Sequence, residues 1–238
     1  MRGLPPRLWK RVEEALEETI GSYEHVNHLI SLWQDERARR RGLQLIDSKV
    51  DIALELGSGP GNYARLLAER FEAPLLCLDY SPSMLMEARE RLRELKAHLL
   101  RGVFEALPLR ESILSLVVAA YALRDSTDRV ETLKEVRRIL KSRGRLLLID
   151  LGRPGNPLME RMLALHLRII VPLIAALAAR RGLRNPWRML YETYRMLPRN
   201  DEMLRLLEEL LGDAEMEELA LGAIIVVVAE RSEEQREG

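Results

Sequence analysis

The sequence has a single cysteine, Cys77, which excludes an internal disulfide and suits a reducing compartment. It has no net charge: Lys plus Arg and Asp plus Glu both number 37, so no overall field favours nucleic acid or an anionic membrane. Residues 1–10 hold no continuous apolar core of the kind a secretory signal needs, and a cytoplasmic location is expected. No cluster of His, Cys and Asp has ligand spacing, so no metal is expected. Repeats, heptads and low-complexity stretches are missing too, apart from a charged tail at 230–238 that should fray. Lysine is scarce, five residues against 32 arginines, and Asn and Gln are few. That balance suits a thermophile, although arginine richness also follows genome composition. What is there, 238 residues, is enough for one domain with a full core and small additions at either end.

The rest of the chain is arranged around Glu55-Leu56-Gly57-Ser58-Gly59-Pro60-Gly61-Asn62. An apolar run of strand length, 50–56, precedes the turn; 63–71 follows it with Ala64, Leu67 and Ala68 at helical spacing. Glycines at alternate positions remove the Cβ atoms that would keep a ligand off the backbone, and the turn points the first free amides of the next helix outward. A dinucleotide-binding turn places its third glycine one residue later. A lone turn of this kind also serves as plain structure in many α/β proteins. Residues 73–78 read as a second buried strand, ending at Asp79, near the roughly 20-residue separation at which a carboxylate grips ribose hydroxyls. Ser81 and Pro82 then open another helix, as cap and first residue. Strand, helix, strand, helix implies a parallel sheet with ligands above the carboxyl ends of its strands.

Ahead of this lies an amphipathic helix at 7–20, with Leu8, Val12, Ala15, Leu16 and Ile20 on one face. The block Tyr23-Glu24-His25-Val26-Asn27, with Ser31, follows, and then a charged helix at 35–46. Further strands are expected at 98–101, 114–120 and 145–151, the last preceded by a helix at 128–141 that Gly144 ends. Strands near 216–221 and 223–229 are joined by so short a turn that they should be antiparallel. The segment 158–179 has few polar positions around the helix, but Arg161, His166, Arg168 and Pro172 argue against a membrane span. It suits a helix lining an apolar cavity or resting on a membrane surface; a core helix or a homodimer interface is the plainer alternative. His166 is expected in the core or at a rim. The runs Arg37-Ala38-Arg39-Arg40-Arg41 and Arg180-Arg181 with Arg184 are the evident basic patches, usually solvated helix faces.

Several of these stretches together resemble the ubiquinone/menaquinone biosynthesis C-methyltransferase family, within the class I methyltransferases. They are the tyrosine–asparagine block with Ser31, the glycine turn, Leu107-Pro108-Leu109, Leu123-Arg124-Asp125-Ser126-Thr127-Asp128, Arg138-Ile139-Leu140-Lys141 with Gly144, and residues 194–198. The resemblance implies a Rossmann-like α/β fold: seven strands, mostly parallel, helices on both faces and a C-terminal antiparallel strand. It implies an amino-terminal helical cap at 1–48 and a methyltransferase domain at 49–238, with a helical insertion at about 155–212 covering the substrate. S-adenosylmethionine is the implied cofactor and a small-molecule or lipid quinol the implied acceptor. Carried over by position, Glu55, Gly57, Ser58, Gly59, Gly61, Asp79, Tyr80, Val103, Phe104 and Tyr121 would bind the cofactor. Arg124 and Asp125 would be catalytic, and Tyr23 would close over the site. Four departures from the family pattern stand out: Val103 where an aspartate is usual, so that adenine falls to the Phe104 amide and apolar walls; Ser115 for aspartate; Asp125 for asparagine; and Leu151-Gly152 at the end of strand five.

The chemistry can be argued from the residues alone. A sulfonium is already activated, so methyl transfer mainly needs a nucleophile held in line in a dry site. An aromatic carbon becomes nucleophilic when a neighbouring phenol, of pKa about 10, loses its proton. A guanidinium stays protonated and cannot be the base. Arg124 is therefore expected to stabilise the phenolate while Asp125, or a water it holds, takes the proton; the bland alternative is that both cap the helix near Asp128. Another small or lipid acceptor is the second enzymatic reading. A third is a non-catalytic protein of this fold that binds RNA, a ribosome or a protein through its arginines, although nucleic acid is the less expected partner.

Overall fold

The computed structural model describes residues 3–19, 23–47, 49–180, 182 and 185–233. Three helices come first: α1 (Pro6–Thr19), α2 (Tyr23–Ser31) and α3 (Gln34–Leu45). The sheet region then alternates β1 (Ala53–Leu56), α4 (Asn62–Phe71), β2 (Leu75–Asp79), α5 (Pro82–Arg91), β3 (Ala97–Arg101), β4 (Leu114–Ala120), α6 (Arg129–Ile139) and β5 (Leu140–Leu151). A helical segment follows, α7 (Pro157–Leu165), α8 (Val171–Ala178), α9 (Met189–Tyr194) and α10 (Asn200–Leu210), before β6 (Ala214–Leu219) and β7 (Ile224–Glu230) close the sheet.

The strand order is β3-β2-β1-β4-β5-β7-β6, and β7 runs antiparallel to both of its neighbours while the other pairs are parallel. Order reverses between β1 and β4, where the carboxyl ends of the strands open a crevice. The expected seven-stranded, mostly parallel sheet is present. Its inner strands are apolar on both faces, as two-sided cover demands. Leu54, Leu56, Val117, Leu146 and Leu148 pack under α6 and α10; Ala53, Cys77, Val118, Leu147 and Ile149 pack under α3, α4 and α5. Each leucine so buried contributes about 1.5–3 kcal/mol. A third cluster joins Val26 and Ile30 of α2 to Leu167, Val171, Ala175, Trp187 and Tyr194.

Local chemistry sets the boundaries. The Ser81 hydroxyl accepts from the Met84 amide at 3.1 Å and caps α5, with Pro82 at its first position. Asp128 caps α6 by accepting from the amides of Val130 and Glu131. The helix expected to reach residue 141 ends at Ile139, and β5 starts at Leu140 instead of 145. Leu140 is fully buried and already extended, and Gly144 sits in an irregularity of β5 rather than at a helix end. The first strand begins at Ala53, later than the apolar run, because the Ser115 hydroxyl takes the Asp51 amide at 2.9 Å and donates to the Ile52 carbonyl. The last two strands start at Ala214 and Ile224, joined through a left-handed turn at Ala220, Leu221 and Gly222. The apolar segment is one helix from Pro157 to Ala178 with a π-helical turn at His166–Ile170.

Candidate active site

The tip of β1 runs into a turn with Gly57, Gly59 and Gly61 at φ of +66°, +53° and +84°. A Cβ on Gly57 would lie 2.6 Å from the Ala122 Cβ, so the tips of β1 and β4 approach this closely only with glycine there. A Cβ on Gly59 would meet nothing within 4 Å: that position faces open space above the sheet. Gly61, expected at the ligand, instead faces Leu92 and Ala88 on the α5 side. Across the crevice, Asp79 accepts from the Gly59 amide at 2.8 Å and the Ser81 amide at 2.9 Å, which locks the turn to the end of β2. Burial holds its carboxyl above the usual range, against the pull of those amides.

A cavity of about 380 Å³ opens here, walled by Gly57, Gly59, Asp79, Tyr80, Val103, Phe104, Tyr121 and Asp125. Helix α1 roofs it with Trp9, Val12 and Leu16; Trp9 packs edge-on to Tyr80 at 4.9 Å, and Ser81 donates to Glu17. Glu55 and Ser58 lie under the turn rather than on the cavity wall, both buried. Around the turn, Glu55 Oε2, Ser58 Oγ, Asn62 Oδ1 and the Tyr121 hydroxyl are buried with no hydrogen-bond partner among the described residues. Burial pushes the Glu55 carboxyl up to about 8, although the Arg39 charge draws it down. Unmet polar groups, a glycine cradle and a carboxylate at the second strand tip suit a nucleoside carrying a charged aliphatic arm. The residues present therefore fit S-adenosylmethionine.

A second cavity, about 240 Å³, lies beyond Tyr121 and Arg124. Ile30, Leu151, Leu163, Leu167, Val171 and Leu190 make its walls apolar, while Asn27, Ser31, Asp35, Arg39, His166, Tyr121 and Arg124 supply polar points. His166 is thus at a rim, its Nε2 3.2 Å from the Ile30 carbonyl oxygen. Tyr121 stands on both cavities; a smaller pocket of about 50 Å³ touches both Arg124 and Asp125.

These two residues do not cap α6, which Asp128 does; they sit in a short 3-10 turn, Leu123–Asp125. The Arg124 guanidinium lies 3.6 Å from Asp125 and 3.5 Å from Asp150, and its amide donates to Asp150 at 3.0 Å. Arg129, fully buried, donates to the Arg124 carbonyl at 3.2 Å. Two cations and two carboxylates balance in low dielectric, the condition under which buried charge is tolerable. Burial still pushes the Asp125 carboxyl up to about 6, the Arg124 charge opposing it. Asp150 and Arg129 escaped the sequence reading. The signal for Asp150 was a lone carboxylate ending an apolar strand, as with Glu55 and Asp79; Arg129 had none. Trp9 and Glu17 of the roof were also missed.

Tyr23 opens α2, but its side chain lies outside the described residues. Arg181 and Arg184 lie outside them too. The 37–41 run is not a free basic patch: Arg39 pairs with Asp35 and stands over the Tyr63 and Tyr121 rings, Arg40 pairs with Glu36, and Arg41 with Glu217. Ser115 sits at the amino end of β4, away from the crevice, so its departure from the family pattern concerns strand entry.

The ubiE/COQ5 methyltransferase family model matches residues 8–231. The chain is 27% identical to a demethylmenaquinone methyltransferase of Chlamydia caviae, covering 92% of this chain and 96% of that one. It is 26% identical to a ubiquinone/menaquinone biosynthesis C-methyltransferase of Hahella chejuensis, covering 83% and 82%. In fold it is similar to an S-adenosylmethionine-dependent methyltransferase of Thermotoga maritima, with a TM-score of 0.65 at 17% identity over 94% of this chain and all of that one. Since the family match extends from the roofing helix through the last strand, the chain belongs to the ubiE/COQ5 methyltransferase family and is an S-adenosylmethionine-dependent methyltransferase.

Proposed function

We propose that this methyltransferase places its methyl group on a ring carbon of a prenylated quinol, a menaquinone- or ubiquinone-type precursor. The observation that carries the reading is the position of Arg124 and Asp125 at the junction of the cavity beside the glycine turn and Asp79 with a second, apolar one. The names of the relatives from Chlamydia caviae and Hahella chejuensis point the same way. S-adenosylmethionine, when bound, supplies a methyl group already activated by its sulfonium. Gly57, Gly59, Asp79, Tyr80, Val103 and Phe104, which line the first cavity, would hold it, while Glu55 and Ser58 would support the glycine turn from beneath.

The chain's own residues supply the rest. Ring methylation releases one proton overall, and Asp125 is placed to take it. A carboxyl of pKa about 6 is a stronger base than an ordinary aspartate and is still ionised at neutral pH. Arg124 stabilises the phenolate oxygen, and Asp150 fixes Arg124 by both its amide and its guanidinium. The helices of 1–48 and 155–212 form the cover, joined through the third apolar cluster. Dryness follows from that cover.

Arg124→Ala and Asp125→Ala each should lower kcat by about 10²–10⁴ while calorimetry still detects S-adenosylmethionine binding. Quinol methylation at wild-type rate in both variants would refute the assignment.

A further inference from the structure

The helix from Pro157 to Ala178 presents two different apolar faces. Leu167, Val171 and Ala175 are buried against α2 and the Trp187 segment. On the outer side Leu158, Met162, Leu165, Ile169, Leu173 and Leu177 follow one another at intervals of three and four, and all are exposed, Leu158 by 61% and Leu177 by 75%. Only 22% of the most apolar 18-residue window is buried, which is the reverse of a core helix. The π-helical turn at His166–Ile170 winds more slowly than an α-helix and offsets part of the drift that a spacing of four would accumulate. The stripe therefore stays on one side.

Charge accompanies it. Arg161 and Arg168 are exposed on the same helix and Arg180 is exposed just beyond its end, and none pairs with a carboxylate among the described residues. The helix's one acid, Glu160, is already held by Arg153 at 2.7 Å and Arg199 at 3.5 Å. The same helix lines the second cavity through Leu163, His166, Leu167 and Val171. Leu32, which also lines that cavity, and Leu221, beside Ala220 of its wall, stand 67% and 77% exposed on left-handed backbone that leucine adopts at a cost.

We infer that this helix seats the protein on an anionic lipid surface, its outer stripe at the acyl boundary and its arginines among the headgroups, so that the second cavity fills from the bilayer. Its purpose rests on the quinol reading above; its geometry does not. One face fixed to the protein body and one apolar face flanked by cations is the pattern of a helix lying in the interface plane, not across the bilayer.

Co-sedimentation of the full chain with vesicles of phosphatidylcholine, with and without phosphatidylglycerol, tests this. Binding should appear with the anionic vesicles. Leu165→Glu with Leu173→Glu should weaken it at least about tenfold, and Arg161→Gln or Arg168→Gln about fivefold each. Neither leucine lines the two cavities of the site, so methylation of a short-tailed, water-soluble quinol should be retained in the double variant while methylation of a long-tailed quinol in vesicles falls. If no quinol is methylated but stripe-dependent vesicle binding persists, the substrate reading fails and the docking stands. Absence of binding to anionic vesicles, or binding indifferent to the leucine substitutions, overturns the inference. So does light scattering that finds a dimer which Leu165→Glu with Leu173→Glu converts to monomer, since a second copy would then occupy the stripe.

Discussion

Asp125 and Glu55 are two carboxylates whose environments push them upward by different amounts, and each makes a pH-dependent prediction. Asp125 must be ionised to accept a proton, so kcat/KM should climb on the acid side with an apparent pKa of about 6 and level off above it. A pH–rate profile checks this. Glu55 is raised to about 8 with no hydrogen bond on one oxygen, so its neutral form is the one that folding favours in the ligand-free protein. The sign follows: its contribution is greatest below the unfolded carboxyl pKa and is lost as pH rises toward 8. Glu55→Gln should therefore be more stable than wild type at pH 8, by about 1–3 kcal/mol, and nearly equal at pH 4; urea melts at the two pH values measure it. Glu55, Asp79 and the glycines were legible because strand-end position alone exposes them. Asp150 stands at the same kind of position, but its partner is set by strand order, and Arg129 acts through a loop that folds back, neither of which is written locally.

At the scale of elements, caps and turns were the legible features, and strand starts the illegible ones. Ser81-Pro82 and Asp128 act as their side-chain chemistry dictates, and Asp128→Ala should cost about 1 kcal/mol, read as a fall in Tm without loss of cofactor affinity. Gly57 is the opposite case. Gly57→Ala meets Ala122 at 2.6 Å on a left-handed backbone, so it should abolish detectable S-adenosylmethionine binding and also destabilise, by about 1–3 kcal/mol. Calorimetry and thermal melting separate the two losses. The start of β5 was misplaced because Leu140 and Gly144 look like a helix end when read along the chain. They are reinterpreted only when β4 lies alongside to take Leu140 in register with Leu114. The long apolar helix resisted a single reading for a similar reason: composition cannot say which face the body covers.

For the whole molecule, α3 and α10 seat the cover directly on the two faces of the sheet, and the cover's two parts meet in the third apolar cluster. Trp187 is buried in that cluster and donates its indole N–H to Asn27 at 3.1 Å, linking α2 to the segment after α8. Trp187→Ala should loosen the cover more than the sheet: S-adenosylmethionine affinity should stay within about threefold, while kcat/KM for the quinol falls by about tenfold or more as dryness is lost. Steady-state kinetics beside calorimetry would show that split.

The place of β7 carries a last consequence, for synthesis on the ribosome. It is the final strand made, yet it sits between β5 and β6 and bonds to both. Until it emerges, β5 shows a bare edge of unpaired N–H and C=O groups among strongly apolar side chains, and β6, already translated, has nothing to pair with. From the completion of β5 until β7 emerges, the nascent chain thus holds an unfinished, adhesive seam and seals it in one late step.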